Sequence, residues 1–540
     1  MSPLERTFVH LPGIGRSLER ALWASGIDCW SALDAALADG IDIRRLGDPE
    51  SRRAPQLGLG ALDGDEERHS WRAALHHSGI ALARKEFGYF AERLSTSEHW
   101  RILGSALDDA LYLDLETTGL SRDLHALTLV GVMYRGATSQ WVWSEALDDL
   151  ASLLSEAPLV VTYNGARFDL PFLLHHVPSL PRPKLHIDLR SVAARGDLGG
   201  GQKAAEQALG LLRDSDLSEI TGEQAIALWC SALYGDPAAY ATLIKYNCAD
   251  VQMLRTLADK LCQMMATQLI ASSALSSTSS SSTGDVHNRG ITCVQRAPAP
   301  LETVRASWRK RRPTLQALLD VTSGPLHRDP VVVGIDLRGN PNNPTGWVVS
   351  EGARITSRVL YDDESIFELT RDAHPDLVSI DAPLSLPRGR FAVGDDSPCR
   401  ATGGIVRQAE RVLWSRGIRV YPALIRHMQG LTARGIALSQ RLRGVGIPVI
   451  ESYPGAAQDV LGIARKGVSI AILERGLCDF GFTLPQELSH DELDAVTCAL
   501  VGHFYLAQRY EAIGADDEGY MIIPQSNAIR WPGVRLSTTA

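Results

Sequence analysis

The sequence predicts an α/β protein with two separate domains. Short apolar runs, separated by turn residues, occur together with helical stretches in both halves of the chain, and this mixture is typical of α/β or α+β layers. Residues 272–284 read SSALSSTSSSSTG. A run of this composition buries nothing and predicts a flexible linker, so we expect folded domains on both sides of it.

Length and composition set the class of protein. A chain of 540 residues favours three to four domains at about 150 residues each. The content of 45% hydrophobic and 22% charged residues is that of a folded globular protein and excludes a collagen, a mucin or a wholly disordered chain. The formal net charge of −9 argues against simple coating of nucleic acid, but not against an enzyme that binds it through metal ions and local basic patches.

The expected location is the cytoplasm, without a membrane partner. No apolar stretch reaches the about 18 residues of a membrane span, and the first residues lack a signal-peptide pattern. The eight cysteines include no pair closer than 14 positions, which excludes a Cys-x-x-Cys metal site and favours reduced thiols.

Five segments are expected along the chain. They are a helical region at 1–100, a first α/β domain at 101–265, a Ser-rich linker with a basic segment at 266–325, a second α/β domain at 326–515 and a C-terminal tail at 516–540.

Periodicity places the main elements of these segments. Leu18, Leu22 and Trp23 have helical spacing, and Ser489 begins a capping box before a helical repeat. The predicted strands are 111–115, 127–133, 159–162, 331–335, 347–350, 377–380 and 447–450, and a long helix is predicted at 239–265.

Paired acids mark the first domain. Asp114 and Glu116 lie two residues apart on a predicted strand, so both side chains point to one face. Two close carboxylates repel each other, and a bridging cation relieves the repulsion. Asp169 follows a turn after the strand 159–162, and Tyr246 and Asp250 share one face of the long helix. A polar strand end, a turn acid and a surface Tyr–Asp pair are the alternatives for these groups taken singly.

Taken together, these motifs resemble the DEDD-type exonucleases of the RNase H-like superfamily. The third motif matches the subtype with Tyr-x-x-x-Asp, and the half from about 6 to 262 is similar to the YprB-type proteins. The resemblance implies a mixed sheet flanked by helices, and two Mg²⁺ or Mn²⁺ ions held by Asp114, Glu116, Asp169 and Asp250. It implies that Tyr246 positions the attacking water. Asn164 either caps a turn or contacts substrate, and Phe168 packs in the core or against a terminal base.

A turn near the N-terminus resembles a helix-hairpin-helix. Gly13 and Gly15 lie in the segment Leu-Pro-Gly-Ile-Gly, directly before a predicted helix, where backbone N–H groups could grip a phosphate. The alternative is a plain turn that connects helices and packs on the nuclease domain.

Four acids mark the second domain. Asp336, Asp381 and Glu451 end predicted strands, and Asp494 lies in the capped helix. As a set they resemble a family of unknown function predicted to be RNase H-like nucleases, over about 330–510. The resemblance implies a second catalytic site with Asp336 and Asp494 as metal ligands. An actin-like nucleotide-binding fold is the rival, but Asp336-Leu337-Arg338-Gly339 is one residue longer than its phosphate loop.

Basic residues surround an aromatic between the two halves. Trp308 lies beside Arg309 and Arg311, a combination that holds single strands by stacking and phosphate contact; a solvated helix start is the alternative. The sequence as a whole therefore predicts a metal-dependent nuclease acting on single-stranded or 3′-ended DNA or RNA, with protein partners unknown. The rival hypothesis is a nucleic-acid-binding adaptor in which one or both domains are non-catalytic.

Overall fold

The computed structural model describes residues 2–41, 43, 64–273, 294–311, 313–326, 328–394 and 400–525. Most of the Ser-rich segment, Arg312 of the basic cluster and residues 526–540 of the expected tail lie outside this range. Among the described residues, no helix has the length and apolar character needed to cross a membrane.

The chain divides into two compact units. The first comprises residues 1–115, 129–219 and 244–298, and the second comprises residues 116–128, 220–243 and 299–540. Each unit contains most of one mixed sheet with helices around it. This arrangement is consistent with an RNase H-like fold and confirms the predicted fold class.

The N-terminal region is helical, as predicted. Its helices are α1 (Arg16–Ala24), α2 (Trp30–Ala38), α3 (Gly64–Ala83), α4 (Phe87–Ala91) and α5 (Trp100–Ala106). A buried ion network joins α1 to α5, since the Arg101 guanidinium of α5 binds Glu19 of α1 at 2.8 Å and also Glu98 at 2.7 Å. Helix α1 follows the glycine turn, but residues 3–10 before that turn form turns rather than a helix.

The first sheet has six strands in the order β5-β4-β1-β2-β3-β6. The strands are β1 (Ala110–Thr117), β2 (Leu127–Tyr134), β3 (Ala137–Val142), β4 (Leu159–Thr162), β5 (His186–Asp188) and β6 (Val294–Arg296). The helices that follow α5 are α6 (Asp148–Glu156), α7 (Asp169–His176), α8 (Leu189–Arg195), α9 (Gln202–Ala208), α10 (Ser215–Ser218), α11 (Gly222–Leu233) and α12 (Pro237–Ser273). Central strands β2 and β4 are buried along their whole length, which explains their continuous apolar sequences.

The second sheet has seven strands in the order β12-β13-β11-β10-β7-β8-β9. The strands are β7 (Val331–Asp336), β8 (Thr345–Glu351), β9 (Arg354–Leu360), β10 (Leu377–Asp381), β11 (Val449–Ser452), β12 (Tyr510–Ala515) and β13 (Gly519–Pro524). Its helices are α13 (Leu301–Arg311), α14 (Leu315–Leu326), α15 (Asp363–Asp372), α16 (Arg400–Gly403), α17 (Gln408–Ser415), α18 (Gln429–Gly444), α19 (Pro454–Leu461), α20 (Ile470–Phe480) and α21 (His490–Leu506). Strand β13 lies beyond 515, so this sheet continues into the segment we expected to be a tail.

Helix α21 packs directly on the second sheet through two glycines. A Cβ atom on Gly334 of β7 would lie 2.1 Å from the Ala495 carbonyl oxygen, and one on Gly346 of β8 would lie 2.1 Å from the Asp491 carbonyl oxygen. The helix therefore approaches the sheet as closely as its own backbone allows. Ser489 caps it in the predicted capping box. This contact places Asp494 close to the end of β7.

Both sheets are built on the same strand order. When the strands of each sheet are numbered from its first strand, both sheets contain the order 3-2-1-4-5. In the second sheet, the strands on one side of the first strand are antiparallel to their neighbours, and the strand on its other side is parallel to it. In both sheets the first strand is central and ends in an acid-bearing segment. Strands β1 and β4, like β7 and β10, are parallel, so their carboxyl ends meet at one edge of the sheet.

Candidate active site

Strand β1 presents two carboxylates at its carboxyl end. Asp114 is half-buried and Glu116 is buried, and the alternation of the strand puts both on one face, as predicted. Their neighbours Leu113 and Leu115 are buried. The apolar residues therefore anchor the strand in the core and hold the two acids at its edge.

Helix α12 supplies the third acid. One carboxylate oxygen each from Asp114, Glu116 and Asp250 lies within 4.8 Å of the others. The structure thus brings Asp250 close to Asp114, although the two residues are more than 130 positions apart in the sequence. Among the described residues, no other set of three acidic, histidine or cysteine side chains meets this distance.

Tyr246 lies one helical turn before Asp250, as the sequence predicts. Its hydroxyl hydrogen-bonds the Asp250 carboxylate, and its ring lies 4.9 Å from the Lys203 ammonium. Burial raises the pKa of Asp250, although Arg213 and the Tyr246 hydroxyl act in the opposite direction. The tyrosine therefore belongs to the acid group and is buried with it.

Asp169 stands at the start of α7 and is buried. Burial, with a smaller contribution from Asp188, raises its pKa to about 7, and its carboxylate accepts a hydrogen bond from the backbone of Leu115 on β1. Asp169 therefore lies beside the first strand, but it is not one of the three acids that meet the 4.8 Å distance.

A buried arginine, which the sequence analysis missed, binds the acid group. The Arg213 guanidinium hydrogen-bonds Asp250 and also contacts Glu206 at 2.5 and 2.6 Å. The side chains of Arg213 and Glu206 are only 5% and 2% exposed. Gln202 completes the link, since its amide donates to Glu206 at 2.9 Å and to the Asp250 carbonyl at 3.2 Å. No sequence motif connects Arg213 with Asp250, because the contact joins the loop between α9 and α10 to helix α12.

Asn247 orients Asp114. Its side-chain amide donates to Asp114 Oδ2 at 3.1 Å and accepts from the Gln140 amide at 3.0 Å. Gly131 on β2 makes room for it, because a Cβ atom there would lie 2.0 Å from Asn247 Oδ1. Asn247 lies in the motif that carries the family resemblance, yet only the fold reveals its contact with Asp114.

Asn164 and Phe168 belong to the loop between β4 and α7. Asn164 has a φ of 68°; its backbone N–H donates to Asp188 at 2.7 Å, and its side-chain oxygen accepts from Arg190 at 2.7 Å. Phe168 is half-buried, with its ring 5.4 Å from that of Phe172. Asn164 is thus a turn residue held by Asp188, and Phe168 has one neighbour in the core.

Gly13 and Gly15 are both exposed, directly before α1. Gly13 has a φ of 74°, which favours glycine. Gly15 is the N-cap of α1, and no side chain caps this helix. The turn therefore has the predicted place, with backbone N–H groups at a helix start.

The prediction that Trp308 stacks on nucleic acid is wrong. Its side chain is 1% exposed, and its ring packs edge-on against Trp229 at 5.4 Å. Because a buried indole cannot meet a base, Trp308 is a core residue. Arg309 is exposed but pairs with Asp479 at 2.8 Å, and Arg311 is exposed at the end of α13.

The acids of the second sheet lie at one edge of that sheet. Asp336 ends β7, Asp381 ends β10, and Asp494 lies in α21. Burial, followed by repulsion from Asp494, raises the pKa of Asp336 to about 8. Burial and the Asp336 charge likewise raise the pKa of Asp381. Lys466 neutralises part of the group through a 2.7 Å contact with Asp494.

Asp336 and Asp381 line a cavity of about 560 Å³. Asp336 is 5% exposed, and its Oδ2 atom is buried without a hydrogen-bond partner. Such an orphaned oxygen is costly in a folded protein unless a ligand, ion or water satisfies it. In the neighbouring Asp494, the Oδ1 atom accepts a hydrogen bond from the Gln458 side-chain amide at 2.9 Å.

Glu451, the fourth acid expected to be catalytic, forms a buried ion pair with Arg407. Its two carboxylate oxygens accept from the Arg407 guanidinium at 2.5 and 2.8 Å, and one also accepts from the Leu384 backbone. Arg407 is in turn bound to Glu410 at 2.6 Å. Glu451 lines the cavity, but as part of a buried ion network that fixes its wall.

The donor chemistry of the first group fits a divalent cation. Asp114, Glu116 and Asp250 offer carboxylate oxygens only, which are the ligands that Mg²⁺ and Mn²⁺ accept. Three acids so close together repel each other, and Arg213 offsets only part of that charge. A cation at this position would satisfy the oxygens and relieve the repulsion.

Comparison with known families identifies the segment that carries this group. Residues 111–262 match the family model described as the RNase_H superfamily. The matched segment runs from β1 into α12 and includes Asp114, Glu116, Asp169, Tyr246 and Asp250. A search among curated proteins gave no match. The segment 111–262 is therefore a domain of the RNase H superfamily.

Proposed function

We propose that the chain is a divalent-metal-dependent nuclease. More narrowly, we propose a 3′→5′ exonuclease of the Tyr-containing DEDD type, close to the YprB-type proteins. The observation that carries the proposal is the group of Asp114, Glu116 and Asp250, with oxygens within 4.8 Å of one another, in an RNase H superfamily domain. The Tyr246 hydroxyl bound to Asp250 supports the narrower subtype.

The acids would hold two Mg²⁺ or Mn²⁺ ions. When bound, such ions stabilise the attacking and leaving oxygens of a phosphodiester displacement. Asp114, Glu116 and Asp250 are the ligands supported by the geometry. Asp169 would join them with its buried carboxyl at the start of α7, beside β1. Its raised pKa of about 7 would fall beside a cation, since an opposite charge favours the ionised carboxylate.

Each residue around the acids has a defined task in this proposal. Asn247 fixes the rotamer of Asp114 through its 3.1 Å hydrogen bond. Arg213 holds one oxygen of Asp250, which directs the other oxygen to the group. The Tyr246 hydroxyl, already oriented by Asp250, would hold the attacking water in line with the scissile phosphorus.

The substrate would be a single strand with a free 3′ end, of DNA or RNA. Phe168 is half-buried, so part of its ring could contact a terminal base. Gly13 and Gly15, exposed before α1, would contact phosphates through backbone N–H groups. Arg309 and Arg311 are exposed on α13 and would add phosphate contacts without base specificity.

The mode of action can be tested with defined ends. Linear single strands labelled at the 5′ end, with a free or a blocked 3′ terminus, and internally labelled circular strands are incubated with Mg²⁺ or Mn²⁺. The proposal expects a ladder of shortened products only from strands with a free 3′ terminus. Equal cleavage of circular strands would contradict exonuclease action, and resistance of every strand would favour a binding adaptor.

A second metal-dependent nuclease site is proposed in the other sheet, in a domain similar to the predicted RNase H-like nucleases of unknown function. The observation that favours it is that Asp336 lines the cavity and its buried Oδ2 atom has no hydrogen-bond partner. Asp336, Asp381 and Asp494 would be its acids. Its test is Mn²⁺ titration of a chain carrying Asp114→Ala and Glu116→Ala. Residual Mn²⁺ binding that Asp336→Asn removes would support the site, and no residual binding would contradict it.

A further inference from the structure

We propose that the rim of the cavity in the second unit binds an unpaired base of a single-stranded nucleic acid, through Tyr421, His427, Asn340 and Asn343. This proposal rests on the second metal site proposed above, because it names the substrate class which that site receives. The four residues line the same cavity as Asp336 and Asp381.

The cavity has a buried floor and an exposed rim. On the floor, Asp336 and Glu451 are 5% and 3% exposed. On the rim, all four proposed contact residues are exposed, namely Asn340, Asn343, Tyr421 and His427. Metal-binding chemistry therefore lies at the bottom, and side chains that can reach a ligand from solvent lie at the opening.

The aromatic part of the rim suits the face of a base. Tyr421 is 63% exposed, although large aromatic side chains usually bury most of their ring. Its ring meets that of His427 edge-on, with centroids 4.8 Å apart and an interplanar angle of 89°. The edge contact fixes the tyrosine while leaving ring surface accessible. Exposed rings of this kind are where proteins stack unpaired bases.

The amide part of the rim suits the edge of a base. Asn340 and Asn343 lie in the loop between β7 and β8, where Asn340 Oδ1 accepts from the backbone of Asn342 at 2.9 Å. That contact orients the side chain and leaves its NH₂ group as a donor. Side-chain amides pair with the donors and acceptors of base edges.

The size of the cavity and the charges around it fit one nucleotide of a single strand. The volume of about 560 Å³ lies in the range of about 300–1,000 Å³ found for small-ligand sites. Lys466 and Arg338 also line the cavity, where they offset the charges of Asp494 and Asp491. A cation on the acidic floor would favour a phosphate there, so the base would lie at the rim and its phosphate towards the floor.

The test measures stacking directly. The full chain, carrying Asp114→Ala and Glu116→Ala so that the probe survives the first site, is titrated with a short single strand containing 2-aminopurine in the presence of Ca²⁺. Loss of 2-aminopurine fluorescence reports stacking. Tyr421→Ala is compared with Tyr421→Phe, which keeps the ring, and with Tyr361→Ala. Tyr361 is a matched control because it is 50% exposed in the same unit and does not line the cavity.

The expected result is a loss of affinity by about 5- to 150-fold for Tyr421→Ala, the range reported by alanine substitution of stacking residues. Tyr421→Phe and Tyr361→Ala should bind as the parent does. Equal affinities for Tyr421→Ala and Tyr361→Ala would overturn the proposal. A free mononucleotide that competes as well as the strand would also overturn it, because the ligand would then not be a strand.

The rim and the second metal site can fail separately. If Tyr421→Ala leaves binding unchanged while Asp336→Asn abolishes Mn²⁺ binding, the rim proposal is overturned and the metal site stands. If Tyr421→Ala weakens binding while Asp336→Asn leaves Mn²⁺ binding intact, the base contact is supported and the second metal site is overturned.

Discussion

The side-chain amide of Asn247 donates a 3.1 Å hydrogen bond to Asp114 Oδ2. This contact joins the helix that carries Tyr246 and Asp250 to the strand that carries Asp114 and Glu116. It fixes the direction in which this Asp114 oxygen points. Residues that bind a metal ligand in this way are part of the site, although they do not touch the metal.

Replacement of Asn247 by alanine should weaken metal binding. The substitution removes the bond to Asp114 and leaves the buried Gln140 amide with only one of its two acceptors, the Ile244 carbonyl. We expect Mn²⁺ affinity to fall by about 10- to 100-fold, measured by electron paramagnetic resonance titration. Gln263→Ala, at an exposed position of the same helix, is the control and should bind as the wild type does. Unchanged affinity in Asn247→Ala would contradict the positioning role.

Replacement of Arg213 by glutamine should destabilise the first unit. Arg213 neutralises the buried Glu206 and Asp250, and removal of one partner from a buried pair costs about 3–5 kcal/mol. Urea unfolding measures this loss. Combining Glu206→Gln with Arg213→Gln should recover part of it, because only Asp250 then lacks its partner. Lys245→Gln, which affects an ion pair on the surface, should cost about 0–1 kcal/mol. A similar small cost for Arg213→Gln would contradict the account.

Trp308→Ala tests whether this residue serves the core or the substrate. Because the indole is buried against Trp229, we expect a loss of about 3–5 kcal/mol of stability, measured by urea unfolding. Affinity for single strands, measured below the unfolding transition, should stay within twofold of wild type. A selective loss of strand affinity with unchanged stability would restore the stacking role.

His503 makes the second unit sensitive to acid. Burial lowers its pKa from 6.5 to about 4, and Asp329 only partly opposes this shift. Between these values the unfolded chain takes up a proton that the folded chain does not, so stability falls as pH decreases from 6.5 towards 4. The slope is about 1.4 kcal/mol per pH unit for this one group.

Urea unfolding at pH 7 and pH 5 checks the prediction in wild type and His503→Gln. Glutamine can keep a hydrogen bond to Ser350, which contacts the imidazole at 2.8 Å, but it does not titrate. The variant should therefore lose less stability than wild type between the two pH values. Equal losses in both proteins would show that His503 does not account for acid sensitivity.

Much of the fold follows from local pattern. The continuous apolar strands β1, β2, β4, β7 and β10 and the capped helix α21 were predicted, because burial on both faces and a capping box leave direct marks in the sequence. The edge strand β9 left a weaker mark, because it is partly exposed and has no continuous apolar run. The inner strand β13 has a short buried apolar run, Met521 to Ile523, but it lies in the segment expected to be a tail.

The site was predictable as far as its motifs extend. Spacing on one strand and on one helix placed Asp114 with Glu116 and Tyr246 with Asp250, and the distances among the three acids agree with the hypothesis. Arg213 could not be found in this way, because its contact with Asp250 joins a loop to a helix more than 30 positions further along the chain. For Trp308 the sequence pattern was misleading. An aromatic residue among arginines predicted a side chain on the surface, but Trp308 lies on the buried side of α13.

The most direct test of the central claim compares wild type with the double variant Asp114→Ala, Glu116→Ala on a 5′-labelled single strand in Mg²⁺ or Mn²⁺. Circular dichroism first shows that both proteins are folded. The account predicts that wild type shortens the strand from its 3′ end and that the double variant loses this activity by at least about 100-fold, since electrostatic stabilisation at such sites contributes about 10²–10³ in rate. Undiminished 3′→5′ degradation by the double variant would contradict the assignment of the active site to these acids.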